Sequence, residues 1–280
     1  MSAPSLIELV EEYVERKNFT LPVFGKVAIK LQEIVSKDDF EIAEIERTIQ
    51  SDPSLAGEIL KAANSPYFKG LAEIKTVHSA VVRLGAEQEV NLAVMLSQRS
   101  NYSAKNPDIQ GLMNKCWQGA VACAMTSRWI CDKLSLEDCS EAFMAGLLHD
   151  VGHLFILTVL DKLLQSGSLS RDFSQNLIME LLRTVHAQKG HKLLSQWNLP
   201  EIYRTVARDH HEEEFDTSNL HLCMVRLADR ACVKLGLCIE HDPSIELSET
   251  TEAKELGLTP LMLAEMEIMM EDCFQGLSVN

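Results

Sequence analysis

The residues with the clearest chemical potential are histidines and aspartates in the second half of the 280-residue chain. His149 and Asp150 stand side by side in the apolar stretch GLLHDVGHL, and His153 follows them closely. Six of the nine histidines lie between positions 149 and 211, whereas the first 110 residues contain one. Imidazole nitrogens and carboxylate oxygens are ligands for iron, manganese and zinc. The clustering therefore indicates a divalent metal site.

The HD pair alone is weak evidence for such a site. Adjacent residues on a helix point about a quarter-turn apart, so both reach one ion only if other segments complete its shell. Further donors are available: His186 in LLRTVHAQKGHKLL, His210 and His211 in TVARDHHEEE, and Asp229 in HLCMVRLADRACVKL. The alternative without metal is an Asp150 carboxylate that hydrogen-bonds the His149 imidazole or caps a neighbouring helix. His153 and His191 are interpreted as polar residues at the rim.

Helices must position these donors, because apolar residues recur at steps of three and four nearly throughout, while alternating β-type runs are scarce. One helix is well marked: Asp52 suits its N-cap, Pro53 its first turn and Asn64 its end. The next two helices are separated near Gly85. The polar stretch 97–111 is the best candidate for a domain boundary.

We therefore predict an all-α fold in three parts. They are an amino-terminal helical subdomain over 1–105, an HD-like helical subdomain over 106–240, and an acidic loop with a closing helix over 241–280. The acidic loop is placed at 242–260, and the closing helix is expected to begin at Thr259-Pro260.

Composition limits the partners and the compartment. The net charge of −15 argues against binding to duplex nucleic acid, since such binding depends on Lys and Arg neutralising phosphates. The sequence contains no uninterrupted apolar run of about eighteen residues and no signal-like amino terminus, so we expect a cytoplasmic protein without a membrane span. The eight cysteines include no Cys-x-x-Cys pair, and we expect them to be buried, reduced thiols.

A series of motifs in a fixed order gives the chain a family resemblance. They are Leu21-Pro22, Asp52-Pro53, ILKAANSPYF, Leu84-Gly85, Trp117, EAFMAGLLHDVGHL, His186 with Gly190, WNLPEI, HH and RLAD. Taken together over about residues 20–235, they resemble the HD-related output domain (HDOD) family, a branch of the HD metal-dependent phosphohydrolase superfamily. The resemblance implies a helical HD-like fold and a role exerted through protein partners in signalling.

The resemblance also implies two metal positions. In dinuclear HD enzymes, an early histidine, the HD pair and a late aspartate hold one ion, and the HD aspartate bridges to a second ion held by three more histidines. Carried over to this sequence, the first site keeps His149, Asp150 and Asp229, and the second keeps Asp150, His186, His210 and His211.

Two departures from the enzyme pattern bear on activity. The early histidine belongs to a Trp-x-His pattern, which here is Trp117-Gln118-Gly119, so the first site lacks a ligand. Catalytic relatives often have a lysine where His153 stands, and a histidine replaces that charge only when it is protonated.

Two functions remain open. The favoured one is a signal-transduction module with little or no catalysis, because a first site of three ligands would hold its ion poorly. The alternative is a metal-dependent phosphohydrolase acting on a phosphomonoester or nucleotide, with Asp150 and His153 as the catalytic residues. The expected cofactor is a divalent iron, manganese or zinc ion, or none.

Overall fold

The computed structural model describes residues 5–16, 25–35, 37, 39–65, 67–68, 72–169 and 174–277, and these residues form helices without any strand. The prediction of an all-α fold is thus confirmed. The α-helices are α1 (Leu6–Arg16), α2 (Lys26–Val35), α3 (Ile42–Gln50), α4 (Pro53–Ala63), α5 (Val77–Leu84), α6 (Ala86–Gln98), α7 (Pro107–Lys133), α8 (Cys139–Leu148), α9 (Val151–Gln165), α10 (Gln175–Gln196), α11 (Glu201–Asp209), α12 (Leu220–Leu235), α13 (Thr251–Glu255) and α14 (Pro260–Leu277). Leu21 and Pro22, where the family motif starts, lie outside the described residues.

Local signals set the predicted helix ends. The Asp52 side chain accepts the backbone N–H groups of Ser54 and Leu55 at 3.0 and 3.1 Å, which caps α4 at its start. At its other end, the Asn64 amide donates to the carbonyl oxygen of Leu60 at 2.8 Å. Gly85 separates α5 from α6 with a positive φ of 86°, a conformation that favours glycine.

The long helix α7 forms the centre of the second half of the protein. It packs against α8, α9, α12 and α14, while α10 packs against α9 and α11. Sixteen of its 27 residues are buried, so α7 is covered on most of its circumference. The closing helix α14 begins at Pro260, as predicted, and returns to α7. At the opposite end of the chain, α1 contacts α9.

Three expectations need correction. The HD pair was expected within a core helix, but His149 and Asp150 form a turn between α8 and α9. The stretch 242–260 was expected to be a loop, yet it contains a 3₁₀ helix over Leu247–Glu249 and the short helix α13. The nearly complete burial of Glu252 and Ala253 explains why this acidic segment is ordered as helix.

The third correction concerns the cysteines. Cys131 and Cys139 form a disulfide, because the short connection from α7 to α8 brings their Cα atoms within 5.4 Å. The expectation of eight reduced thiols is therefore wrong for this pair. The other six cysteines are free and buried, as expected.

One apolar helical stretch runs from Cys139 to Gln165 across the HD turn. By length and composition it could span a membrane, but 89% of its most apolar window is buried inside the protein. Its apolar character is explained by packing in the core.

Candidate metal centre

Asp150 lies at the centre of the donor cluster. Its Oδ1 atom is 3.4 Å from Nε2 of His186 and 3.3 Å from Nε2 of His210. Its Oδ2 atom is 3.4 Å from Nε2 of His149 and 3.2 Å from Nδ1 of His153. Each carboxylate oxygen thus faces a different set of imidazoles, which is the arrangement expected of a bridging ligand.

A close approach of two helices delivers His186 to this carboxylate. A Cβ atom added to Gly152 of α9 would overlap the carbonyl oxygen of His186 on α10 and lie 2.8 Å from the backbone nitrogen of Gly190. The helices can therefore cross at this distance only because Gly152 has no side chain. Sequence reasoning noted Gly190 but missed Gly152, although it stands inside the HD motif.

The remaining donors come from two other elements. His210 and His211 follow directly after the last residue of α11, and Asp229 lies on α12. The donor atoms form two groups, and within each group they all lie within 4.8 Å of one another. The first group is His149, Asp150 and Asp229, and the second is Asp150, His186, His210 and His211. The structure therefore brings together all six predicted donors, in the two groups that the family resemblance implied.

Backbone carbonyls fix the tautomers of three of these histidines. Nδ1 of His149 contacts the Gly146 oxygen at 2.8 Å, and Nδ1 of His186 contacts the Leu182 oxygen at 2.6 Å. Nδ1 of His210 lies 3.1 Å from the Ala207 oxygen. A carbonyl oxygen only accepts, so each Nδ1 carries a proton and donates it. In the neutral ring, Nε2 is then left as a lone-pair donor aimed at Asp150, as in histidines that ligate metals.

The unsatisfied atoms of the cluster fit a cation. Nε2 of His149, Oδ1 of Asp150 and Nδ1 of His153 are buried, and no hydrogen-bond partner is found for them among the described residues. Nε2 of His186 and Nε2 of His210 face each other at 3.3 Å, and two neutral rings that donate through Nδ1 cannot satisfy this contact. A divalent ion bound by Asp150, His186, His210 and His211 would satisfy Oδ1 of Asp150 and the facing Nε2 atoms of His186 and His210.

Electrostatics differ between the two groups. Burial lowers the pKa of His186 to about 3 and that of the more exposed His211 to about 4, with neighbouring histidines adding to both effects. These two rings are therefore neutral at pH 7, the form that binds metal. Burial would raise the pKa of Asp150, but His153 and His149 beside it hold that pKa well below its usual range. Asp150 is therefore an anion.

His149 behaves differently from His186. Burial opposes its charged form, yet Cys123, Asp150 and Asp229 around the ring raise its pKa well above the usual value. The ring is almost fully buried, with Nε2 3.7 Å from Oδ1 of Asp229. In the metal-free protein, a proton on His149 thus offsets one of the two carboxylate charges of the first group.

Position 119, where the family resemblance implies a ligand, packs closely against another segment. A Cβ atom added to Gly119 on α7 would lie 2.8 Å from Cβ and 3.5 Å from Cα of Cys238. Gly236 ends α12 in the left-handed conformation with φ 69°, and this turn directs Cys238 towards α7. The Cys238 thiol contacts the carbonyl oxygen of Glu240 at 3.4 Å. No side chain at position 119 fits beside Cys238 as it stands.

His153 was expected at the rim, but it is buried. Only 5% of the residue is exposed, and its ring stacks on that of His186 at 4.3 Å between centroids. It is one helical turn from the HD pair, so its side chain points back into the cluster. His191, the other histidine expected at the rim, is only partly exposed.

A cavity of about 220 Å³ opens in front of the donors. Its wall includes Asp150, His186, His211 and Asp229 together with Arg183 and Glu240. Arg183 Nε and Glu240 Oε1 form an ion pair of 2.5 Å across this wall. Sequence reasoning missed both residues, because neither belongs to a motif and only the fold brings α10 beside the segment after α12.

The fold and the donor set define an HD-type helical protein. A family model for the HDOD domain matches residues 21–213, so the chain belongs to the HDOD domain family. An uncharacterized protein of Treponema pallidum (strain Nichols) is 22% identical over 195 residues, which cover 68% of this chain and 37% of that protein. The chain thus matches well under half of the length of this relative.

Solved structures share the architecture. An HDOD domain protein of unknown function from Geobacter sulfurreducens has a TM-score of 0.77 at 19% identity, covering 98% of this chain and 97% of that chain. A candidate metal-dependent phosphohydrolase from Shewanella amazonensis SB2B has a TM-score of 0.69 at 18% identity, covering 96% and 97%. A candidate signal transduction protein from Marinobacter aquaeolei VT8 has a TM-score of 0.67 at 20% identity, covering 98% and 65%. At these identities, the likeness shows the fold.

Proposed function

We propose that this HDOD protein is a regulatory module that binds one divalent ion through Asp150, His186, His210 and His211 and hydrolyses phosphate esters feebly or not at all. The observation that carries the proposal is the contact between Gly119 and Cys238. The first group has three donors, and Cys238 leaves no room for a side chain at position 119.

The chemistry of two-metal hydrolysis supports this assignment. One ion must generate and aim a hydroxide, while both ions stabilise the charge that develops on the phosphoryl group. A first site of three donors, one of which holds a proton in the metal-free protein, binds its ion weakly. The resident ion of the second site would supply Lewis acidity and a fixed charge, and it would tie α9, α10 and α11 together.

The regulatory part of the proposal rests on the family and on surface charge. The Marinobacter aquaeolei VT8 protein that shares the fold is a candidate signal transduction protein. We propose that the protein acts in the cytoplasm through a protein partner. We also propose that it binds neither duplex nucleic acid nor a membrane, because its net charge of −15 repels anionic polymers and anionic lipid surfaces.

A hydrolase remains the second candidate, favoured by one observation. The cavity in front of the donors has room for a small phosphate ester, and Arg183 on its wall offers the positive charge that His153 does not secure. In this alternative, Asp150 would hold the ions and His153 would stand beside the substrate.

Metal content and turnover, measured on the same sample, separate the two functions. We expect about one manganese, iron or zinc ion per chain by elemental analysis. Against a panel of phosphomonoesters and cyclic dinucleotides, we expect turnover no higher than that of an Asp150→Asn variant. A His78→Asn variant is the control, because His78 is exposed and pairs with Glu46 outside the cluster. Two ions per chain with turnover that Asp150→Asn abolishes would establish the hydrolase instead, and absence of metal would refute the metal part.

A further inference from the structure

Arg226 on α12 is the first residue of the RLAD motif, but unlike Asp229 of that motif it belongs to neither donor group. Only 4% of its surface is exposed. Its Nη1 atom donates to the backbone carbonyls of Asp209, His210 and Glu212 at 3.2, 2.8 and 2.9 Å. Its guanidinium carbon also lies 3.8 Å from the centre of the Phe215 ring. Arg226 thus binds the backbone around the two histidine donors rather than their side chains.

This backbone satisfies its own carbonyls only in part, through contacts such as that of the Glu212 N–H with the Asp209 oxygen at 3.1 Å. The last carbonyls of an α-helix lack intrahelical N–H donors, and α11 ends at Asp209, directly before His210. A cation at this end also matches the negative pole of the helix. By holding three carbonyls at once, Arg226 fixes the turn from which the His210 and His211 rings project.

The charge of Arg226 is balanced from the carboxyl-terminal segment. Its Nε atom donates to Oε1 of Glu252 on α13 at 2.7 Å, and Glu252 is 1% exposed. Arg230 lies 3.4 Å from the same oxygen. A buried arginine requires such a carboxylate, because an unpaired charge in the interior is strongly unfavourable. Glu252 lies beyond residue 213, where the match to the family model ends.

We propose that Arg226 is a positioning residue for the second metal site and that Glu252, through Arg226, connects this site to α13. The inference rests on the proposed metal binding at Asp150, His186, His210 and His211. It predicts that a change on α13, far along the chain from every donor, alters the affinity for metal.

The experiment compares three variants of the full chain. Arg226→Met removes the charge and the hydrogen bonds, and Arg226→Lys keeps the charge but loses the planar fork. The control is Asp161→Asn, a buried carboxylate on α9 that accepts backbone N–H groups of Lys105 and Asn106 rather than holding any site residue. We expect Mn²⁺ affinity to fall about 10- to 100-fold in Arg226→Met. Arg226→Lys should recover part of the loss, and Asp161→Asn should lower only the melting temperature.

A second measurement separates this inference from metal binding itself. In the protein stripped with EDTA, imidazole ¹⁵N NMR signals of His210 and His211 should shift in Arg226→Met and in Glu252→Gln, and stay in place in Asp161→Asn. If the parent binds no Mn²⁺ while these signals shift, the proposed function fails, and what stands is that Arg226 positions His210 and His211. If the parent binds Mn²⁺ and the Arg226 and Asp161 variants bind it with equal affinity, the positioning role is refuted.

Discussion

The two halves of the donor cluster share Asp150 but differ in completeness. In the second half, donors from the HD turn, α10 and the end of α11 converge, and backbone carbonyls orient two of the three histidines. The first half has three donors, and Cys238 packs against Gly119, where the family resemblance implies a fourth. The contrast teaches that one half of a bridged site can lose its ligand shell while the other half keeps its geometry.

The protonation states follow the same division. A lowered pKa leaves His186 neutral and ready to bind an ion, whereas a raised pKa leaves a proton on His149 between the carboxylates. An ion entering the first half must displace that proton, and an ion entering the second half displaces none from His186. The first half is thus stable as an ion pair, while the second half is satisfied best by a metal.

The largest expected difference in Mn²⁺ affinity is between variants of Asp150, which both halves share, and of Asp229, which only the first half contains. Asp150→Asn removes the shared carboxylate from both halves and should weaken Mn²⁺ binding by about 100-fold or more. This exceeds the 10- to 100-fold loss that is typical when a residue hydrogen-bonded to a metal ligand is changed. Asp229→Asn touches only the first half and should change the affinity less than about threefold, since the second half keeps all four donors. Titration of Mn²⁺ followed by electron paramagnetic resonance measures both. Equal losses in the two variants would show that the bound ion depends on the first half.

Acid stability tests the neutral state of the second half. In the metal-free protein, the pKa of His186 is about 3, against about 6.5 for an unfolded histidine. Below about pH 6.5, His186 therefore binds a proton in the unfolded chain but not in the folded protein. Folding free energy is lost as pH falls, by up to about 1.4 kcal/mol per unit, until the pH reaches about 3. Asp150, whose pKa is lowered, adds its own loss only below about pH 4.

Urea unfolding in EDTA at pH 7, 6 and 5 measures this effect. Between pH 6 and 5, the parent should lose about 1 kcal/mol more than His186→Asn, because the variant lacks the group that resists protonation. Exposed His78 provides the control, and His78→Asn should keep the slope of the parent. Part of the slope should remain in His186→Asn, because the pKa of His211 is also lowered, to about 4. A slope equal to that of the parent would assign the acid sensitivity to groups other than His186.

Much of the fold was predictable because its signals are local. Asp52, Pro53 and Asn64 mark the ends of α4 through contacts within a few residues. The six donors were predictable as a set because their residue types are rare in apolar helices. Cys238 and Glu252 were not predictable, since their roles depend on segments that meet only after folding. The HD turn was missed because its flanking sequence is apolar enough to continue as one helix.

The smallest expected effect tests the Gly119 position. The Trp-x-His pattern alone implies that a histidine at position 119 would supply the fourth ligand of the first site. Because its Cβ would lie 2.8 Å from Cβ of Cys238, we now expect Gly119→His alone to bind no extra metal. It should lose about 1 to 3 kcal/mol of stability through overpacking, partly offset by about 1 kcal/mol from removing a helix glycine.

Removing the obstructing Cβ should reverse this result. Cys238→Ala keeps that atom, whereas Cys238→Gly removes it, so only Gly119→His with Cys238→Gly is expected to regain stability and raise the metal content from about one ion to about two per chain. The parent, Gly119→His, Cys238→Gly and the double variant form a double-mutant cycle. A favourable coupling free energy of about 1 kcal/mol or more would show that the two positions compete for one space. Gly57→His is the matched control, because Gly57 lies inside α4 with no atom within 4 Å of an added Cβ. Extra metal in Gly119→His alone would mean that the segment after α12, which carries Cys238, moves away from position 119 at little cost. The first half would then be open to a fourth ligand, and the asymmetry between the halves would follow from the missing histidine only.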